Sequence, residues 1–159
     1  MDAATQETRM AVDVLTETVI RLPAKQVAEY ASNPDTAPQW YVNIKAVEWK
    51  TEPPVAVGSR IAFVARFLGR HLAYTYEVVE FLPGERLVMR TAQGPFPMET
   101  SYAWETTPEG FTRMTLHNRG VPTGFSRWMA PFIARAMRRA NRKDLARLKA
   151  ILEAGGDNS

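Results

Sequence analysis

The 159-residue chain contains no cysteine. That removes disulfides, thiolate catalysis and soft metal sites together. Histidine is nearly as scarce: His71 and His117 are the only two, and this far apart they make a poor ligand set for a metal. Both read as exposed side chains, and neither a metal nor a cofactor is expected. No apolar run approaches the roughly 18 residues of a membrane span. The opening stretch from Met1 to Thr8 is polar and acidic, without the apolar segment of a secretory signal. A cytoplasmic protein is the expectation. Glycine-rich phosphate loops, the dinucleotide fingerprint and nucleophile-elbow serine spacing are missing too, which sets aside classical kinase, dehydrogenase and hydrolase chemistry.

What is present is ordinary in bulk and informative in order. A hydrophobic content of 45% with 23% charged residues suits one globular domain. Its expected limits are residues 8–154, with 1–7 and 155–159 as flexible termini. A β-branched run from Val12 to Ile20 predicts a first strand. Pro23 then opens a short helix to about Ala31, and Ser32-Asn33-Pro34 stops it. A second short helical turn is predicted from Pro34 to Trp40. Six strands follow, at about 45–51, 60–67, 72–81, 86–92, 98–106 and 111–118. The breaks between them carry turn chemistry: Pro53-Pro54, Gly58, Gly69-Arg70, Pro83-Gly84, Gly94-Pro95 and Pro108-Glu109-Gly110.

The chain closes on one long helix, predicted from about Gly124 to Glu153. Its apolar residues Phe125, Trp128, Met129, Phe132, Ile133, Ala136, Met137 and Ala140 recur at the spacing of one buried face. A single helix cannot cover both faces of a long antiparallel sheet. The economical fold is α+β, a curved seven-stranded antiparallel sheet wrapped around the helix, with a pocket where side chains leave the concavity unfilled. Pro131 falls inside the helical pattern and predicts a kink, with residues 121–130 as a mobile flap over the pocket entrance.

Charge is unevenly placed. Eight of the 20 Lys and Arg residues lie between Arg127 and Lys149, against Asp144 alone, although the whole chain carries a net charge of only +3. The basic helix face reads as a solvated surface. A surface for an acidic partner or anionic membrane is the alternative. No nucleic-acid motif accompanies it, so no nucleic-acid partner is expected.

Alternation along the strands predicts which side chains enter the concavity. Phe63 and Phe67 face in from the third strand, Tyr74 and Tyr76 from the fourth, and Met89 from the fifth. Met98 and Tyr102 face in from the sixth. Glu80 breaks the pattern and predicts a bulge. Trp40, Met114, Met129, Phe132 and Ile133 complete the candidate ligand-binding set. The three tyrosines either satisfy one another and water or offer donors to a mostly apolar ligand. Asn141, four residues after Met137 on the buried stripe, is expected to bond to a backbone group or water. No Asp, Glu or His is placed inside as a base. A dry void of about 300 Å³ would cost roughly 7 kcal/mol, comparable with a whole domain's stability of about 5–15 kcal/mol. The pocket is therefore expected to be small, wet around the tyrosines, or filled.

The stretches Ile20–Ala31, Asn33–Trp40, Val57–Arg60, Tyr76–Glu80, Pro83–Leu87 and Lys143–Lys149 resemble the START-related, birch-pollen-allergen-like SRPBCC superfamily. Within it they are most similar to the polyketide cyclase/dehydrase-like group. The resemblance runs from Val12 to Glu153. It implies a helix-grip fold and an internal cavity for a small hydrophobic molecule of lipid, polyketide or aromatic type, bound or transported by a monomer or homodimer. It also implies an alternative, a cyclase or dehydratase with a pocket tyrosine as general acid. It transfers no catalytic signature to any residue.

Overall fold

A computed structural model describes residues 12–94, 97–121 and 127–156. Strand β1 (Val12–Ile20) leads into helix α1 (Ala24–Ala31), a 3-10 turn (Pro34–Thr36) and the four-residue α2 (Ala37–Trp40). Strands β2 (Ile44–Trp49), β3 (Arg60–Phe67), β4 (Arg70–Leu82), β5 (Arg86–Gln93), β6 (Met98–Thr106) and β7 (Thr112–Gly120) follow. A 3-10 turn (Arg127–Met129) then runs into α3 (Ala130–Gly156). The strands form one antiparallel sheet in the order β1-β7-β6-β5-β4-β3-β2. The two small helices thus carry the chain from one edge of the sheet to the other.

Curvature comes from places where the ladder slips. Val78 pairs with Met89 and Glu80 with Val88, leaving Val79 as an extra residue on β4. This is the bulge that Glu80 predicts, and such bulges bend a strand and increase its twist. A second irregularity lies between Thr75 and Tyr76 on the same strand, and a third on β2 between Ile44 and Ala46. The β3–β4 hairpin closes through Leu68 and Gly69, both with positive φ, the geometry that matches strand twist in a two-residue loop.

The main core lies where α1, α2 and the C-terminal half of α3 meet the concave face. Trp40, Ile61, Leu87, Met114, Leu116, Leu145 and Leu148 are fully buried there. A smaller cluster joins Ile133 of α3 to Val12 and Val14 of β1. A third, Tyr74 with Met98, is flanked by Leu72, Tyr76 and Met137.

Two expectations about the long helix are corrected. Pro131 does not kink it: Pro131 is the second residue of α3 and sits in the first turn, where backbone N–H groups have no intrahelical partner to lose. The buried face also begins later than the apolar spacing suggests. Trp128 is 85% exposed and Phe132 65%, and Met129 is exposed as well. Residues 122–126, which include Phe125 and half of the expected flap, lie outside the described residues. The helix face turned inward is instead Ile133, Met137, Asn141, Asp144, Leu145, Leu148 and Leu152.

Candidate functional site

A cavity of about 150 Å³ lies between the concave face and the middle of α3. Its apolar wall comes from Phe63 and Ala65 of β3, Leu72 of β4, Met89 of β5 and Met98 of β6, with Met137 and Ala140 facing them from the helix. Strand alternation sets the directions of the sheet residues. Along any one strand they stand two or four positions from another inward neighbour, so the pleat turns them to the same side. The backbone keeps the wall close. A Cβ on Gly120 would collide with the Met98 sulfur, and one on Gly94 would stand 2.5 Å from the Tyr74 ring.

The polar groups divide into two sets. On the sheet, the Thr100 hydroxyl donates to Asn118 Oδ1 at 2.6 Å, and the Tyr102 and Tyr41 hydroxyls bond to each other. Burial pushes the Tyr41, Tyr74 and Tyr102 phenols well above their ordinary value of 10. Burial also pushes Tyr76 up to about 12, with its hydrogen bond to the Thr100 side chain pulling the other way. All four therefore keep their protons near neutrality.

On the helix, Asn141 and Asp144 lie one turn apart and both line the cavity. Asp144 is 2% exposed. Burial pushes its carboxyl up to about 7, against the opposing pull of the Val42 N–H and the Arg147 guanidinium. Val42 donates that N–H to Asp144 Oδ1 at 2.8 Å. Asn141 is 4% exposed, and its Nδ2 has no hydrogen-bond partner among the described residues. The backbone partner expected for Asn141 is not found among the described residues, and Asp144 corrects the reading that no acid faces the interior.

Of the twelve candidate residues, Phe63, Tyr74, Tyr76, Met89, Met98 and Tyr102 are brought together on the cavity wall. The others are not. Trp40 and Met114 do point inward, but they are wholly enclosed in the main core, where α2 and the leucines of α3 leave no space. Met129 and Phe132 are exposed; Phe132 stands one position from the buried Ile133 and so points away from the sheet. Ile133 packs on Val12 and Val14 instead. The Phe67 side chain lies outside the described residues. Tyr41, Asn43, Asn118, Asn141 and Asp144 line the cavity without having been singled out as binding residues. The signal for Asp144 was available: it falls four and seven positions before Leu148 and Ile151 and seven after Met137, on the inward stripe.

Neither histidine enters the site. His71 is exposed, and His117 pairs with Asp13 on the outer face. Among the described residues, no three His, Cys, Asp or Glu side chains gather in a way that could hold a metal ion. None of the described helices is long and apolar enough to cross a membrane.

A curved sheet closed on one long helix over an internal cavity defines the helix-grip class of the START-related SRPBCC superfamily. The chain belongs to the family described as polyketide cyclase / dehydrase and lipid transport, which matches residues 11–153. Solved structures agree on the fold. TTHA0849 from Thermus thermophilus superposes with a TM-score of 0.79 at 18% identity, over 90% of this chain and 98% of that one. The Zhui aromatase/cyclase from Streptomyces sp. R1128 gives 0.74 at 15% identity, over 89% and 93%. A START superfamily protein from Mycobacterium smegmatis gives 0.68 at 15% identity, over 92% and 97%. No curated protein matches the sequence.

Proposed function

We propose that the chain binds one small hydrophobic molecule in the cavity between sheet and helix. The observation that carries this reading is the cavity itself: about 150 Å³ with an aliphatic, methionine and aromatic wall. Left dry, a void of that size costs roughly 4 kcal/mol at about 24 cal/mol per Å³. A ligand that fills it recovers the lost contacts. The family's description, which includes lipid transport, supports the same reading.

Native mass spectrometry of freshly purified protein tests it, together with thermal shifts against a panel of apolar ring and chain compounds. A matching ligand at about 100 times its Kd adds roughly 2.7 kcal/mol, or about 5–10 °C in Tm for a domain of this size. Ala140→Phe, which fills the cavity from the helix, should abolish that shift. No co-purifying molecule and no stabilisation by any member of the panel would sink the reading.

A second reading, a cyclase or dehydratase acting on a polyketide-like substrate, is favoured by Asp144. A carboxyl that titrates at about 7 is well matched to general-base work near neutrality. Its carboxylate would take a proton from a carbon beside a carbonyl, while the Tyr41–Tyr102 pair donates a hydrogen bond to the developing enolate oxygen. Burial makes these phenols weaker acids than free tyrosine, so they serve better as hydrogen-bond donors than as the general acid expected from sequence. Deuterium exchange at the activated carbon of a cyclic β-diketone, followed by NMR, separates the readings. Exchange above buffer that disappears in Asp144→Asn supports an enzyme, and exchange no faster than buffer removes that reading.

A further inference from the structure

We infer that the ligand of this cavity is a neutral, single-ring compound carrying a hydroxyl group, held with that hydroxyl between Asn141 and Asp144. The inference rests on the hydrophobic-ligand reading and adds the chemistry that the helix side of the cavity selects.

The starting point is two side chains one helical turn apart. Asn141 presents a buried Nδ2 with no partner, on the cavity wall. An amide nitrogen only donates, so its missing partner is an acceptor. Asp144 presents a buried carboxyl on the same wall, and the Val42 N–H uses one of its roughly four lone-pair positions. An ionised carboxyl only accepts, so what it lacks is a donor. The ligand group that meets both must accept and donate at one atom. A hydroxyl does so.

The common alternatives each fail on one side. An ammonium donates to Asp144 but has nothing to offer Asn141. A carboxylate accepts from Asn141 but places like charge beside Asp144. A ketone or ether oxygen accepts only, so it meets Asn141 but offers nothing to Asp144 once that carboxyl is ionised, above about pH 7. A hydrocarbon leaves the Asn141 amide nitrogen unmet and the Asp144 carboxyl with the Val42 N–H alone, in a site they share with Met137 and Ala140. Leaving such groups unpaired is how a site built for a hydroxyl rejects the analogue without one.

Size sets the rest of the molecule. A volume of about 150 Å³ holds one benzene-sized ring, and this cavity, of about 150 Å³ and open on one side, encloses one ring of the ligand. The ring has an aromatic and thioether bed to lie on, formed by Phe63, Tyr74, Met89 and Met98. Tyr41 and Tyr102, which bond to each other, and the Thr100–Asn118 pair already have partners. Among the described residues, the cavity-lining side-chain atom left with no partner at all is Asn141 Nδ2, on the helix.

The test is isothermal titration of the intact chain with four probes of matched size: p-cresol, p-xylene, benzylamine and benzoate. The expected result is that p-cresol binds about tenfold more tightly than p-xylene, in the range of one or two hydrogen bonds, and that benzylamine and benzoate bind more weakly than p-cresol. Asn141→Leu and Asp144→Asn should each bring p-cresol and p-xylene to within about threefold of one another. If p-xylene binds as well as p-cresol, the hydroxyl assignment is overturned and the hydrophobic-ligand reading stands. Tighter binding of benzylamine or benzoate than of p-cresol overturns it in favour of a charged ligand. If none of the four binds, this inference fails, and the co-purification experiment decides separately whether the broader reading fails with it. Should a variant fail to fold, the wild-type series alone decides between the hydroxyl and its alternatives.

Discussion

The two ends of the concave face share one sheet and one helix, yet one is solid and the other hollow. Toward α1 and α2, the helix presents Leu145, Leu148 and Leu152 to Trp40, Ile61, Leu87 and Leu116, and the gap beside Ala31, Ala37 and Leu87 measures about 10 Å³. Half the helix away, the same inward stripe reads Met137, Ala140, Asn141 and Asp144, and a cavity opens beneath it. Sheet and helix continue unchanged through both ends. The space is created by which helix residues occupy the stripe: a small residue and two short polar ones stand where leucines would otherwise fill the gap. Leucine packing is concentrated in the first end, and polar groups facing open space in the second.

The largest break in that comparison should come from Leu148→Ala. Leu148 is fully buried in the solid end, where Leu→Ala costs roughly 3–5 kcal/mol. Met137→Ala, beside a space that already exists, should cost under about 2 kcal/mol. Urea denaturation of both variants measures the contrast, and equal losses would mean the two ends are packed alike.

Asp144→Asn should follow in size, with a sign that depends on pH. In the unfolded chain Asp144 loses its proton near 3.8, whereas in the folded chain it keeps it to about 7. Between those values the native state binds the extra proton, so wild-type stability falls as pH rises through that window and levels off above it. The charged groups bearing on it are Arg147, which favours ionisation, and the Tyr41 and Tyr102 phenols, which remain neutral. The fall corresponds to at most roughly 4 kcal/mol. The asparagine variant should match wild type near pH 4 and exceed it by about 2–4 kcal/mol at pH 8.5. A difference between the two proteins that does not change with pH would refute this account.

Asn141→Leu should stabilise the empty protein by about 1 kcal/mol, because it removes an orphaned buried amide group. A loss of stability would show that the amide is already satisfied. The smallest effect is expected for Pro131→Ala. At the start of a helix, proline stabilises mainly by restricting the unfolded chain, so the change should cost under about 1 kcal/mol. A gain of about 3 kcal/mol would place Pro131 in a helix interior.

Strand positions, turns and inward faces were readable because each rests on a local rule. Glu80 interrupts the alternation of β4, and the ladder does slip there. Tyr74, Tyr76, Met98 and Tyr102 keep the period of two and line the cavity. Position along a strand was not readable. Alternation places Met114 in the same interior as Met89, and the short helix adds Trp40 to it, without saying which part of that interior is full. Helical spacing failed differently at Trp128 and Phe132. It marks a face, but it carries no information about whether anything stands opposite. Asp144 was obscured by its surroundings, a single acid in a run of eight basic residues. Only its place on the Met137–Asn141–Leu148 stripe gave it away, and charge patterning drew attention outward.

The bond from Val42 to Asp144 makes one backbone amide a spectroscopic readout of the cavity. That hydrogen is held by the carboxyl whose protonation and occupancy are in question, yet it belongs to the segment beyond α2, remote in sequence from the helix. Its chemical shift should move with an apparent midpoint near pH 7 in the empty protein, following Asp144. The same resonance should respond when a molecule engages the other side of the carboxyl. A single cross-peak would thus report charge state and ligand arrival without labelling either.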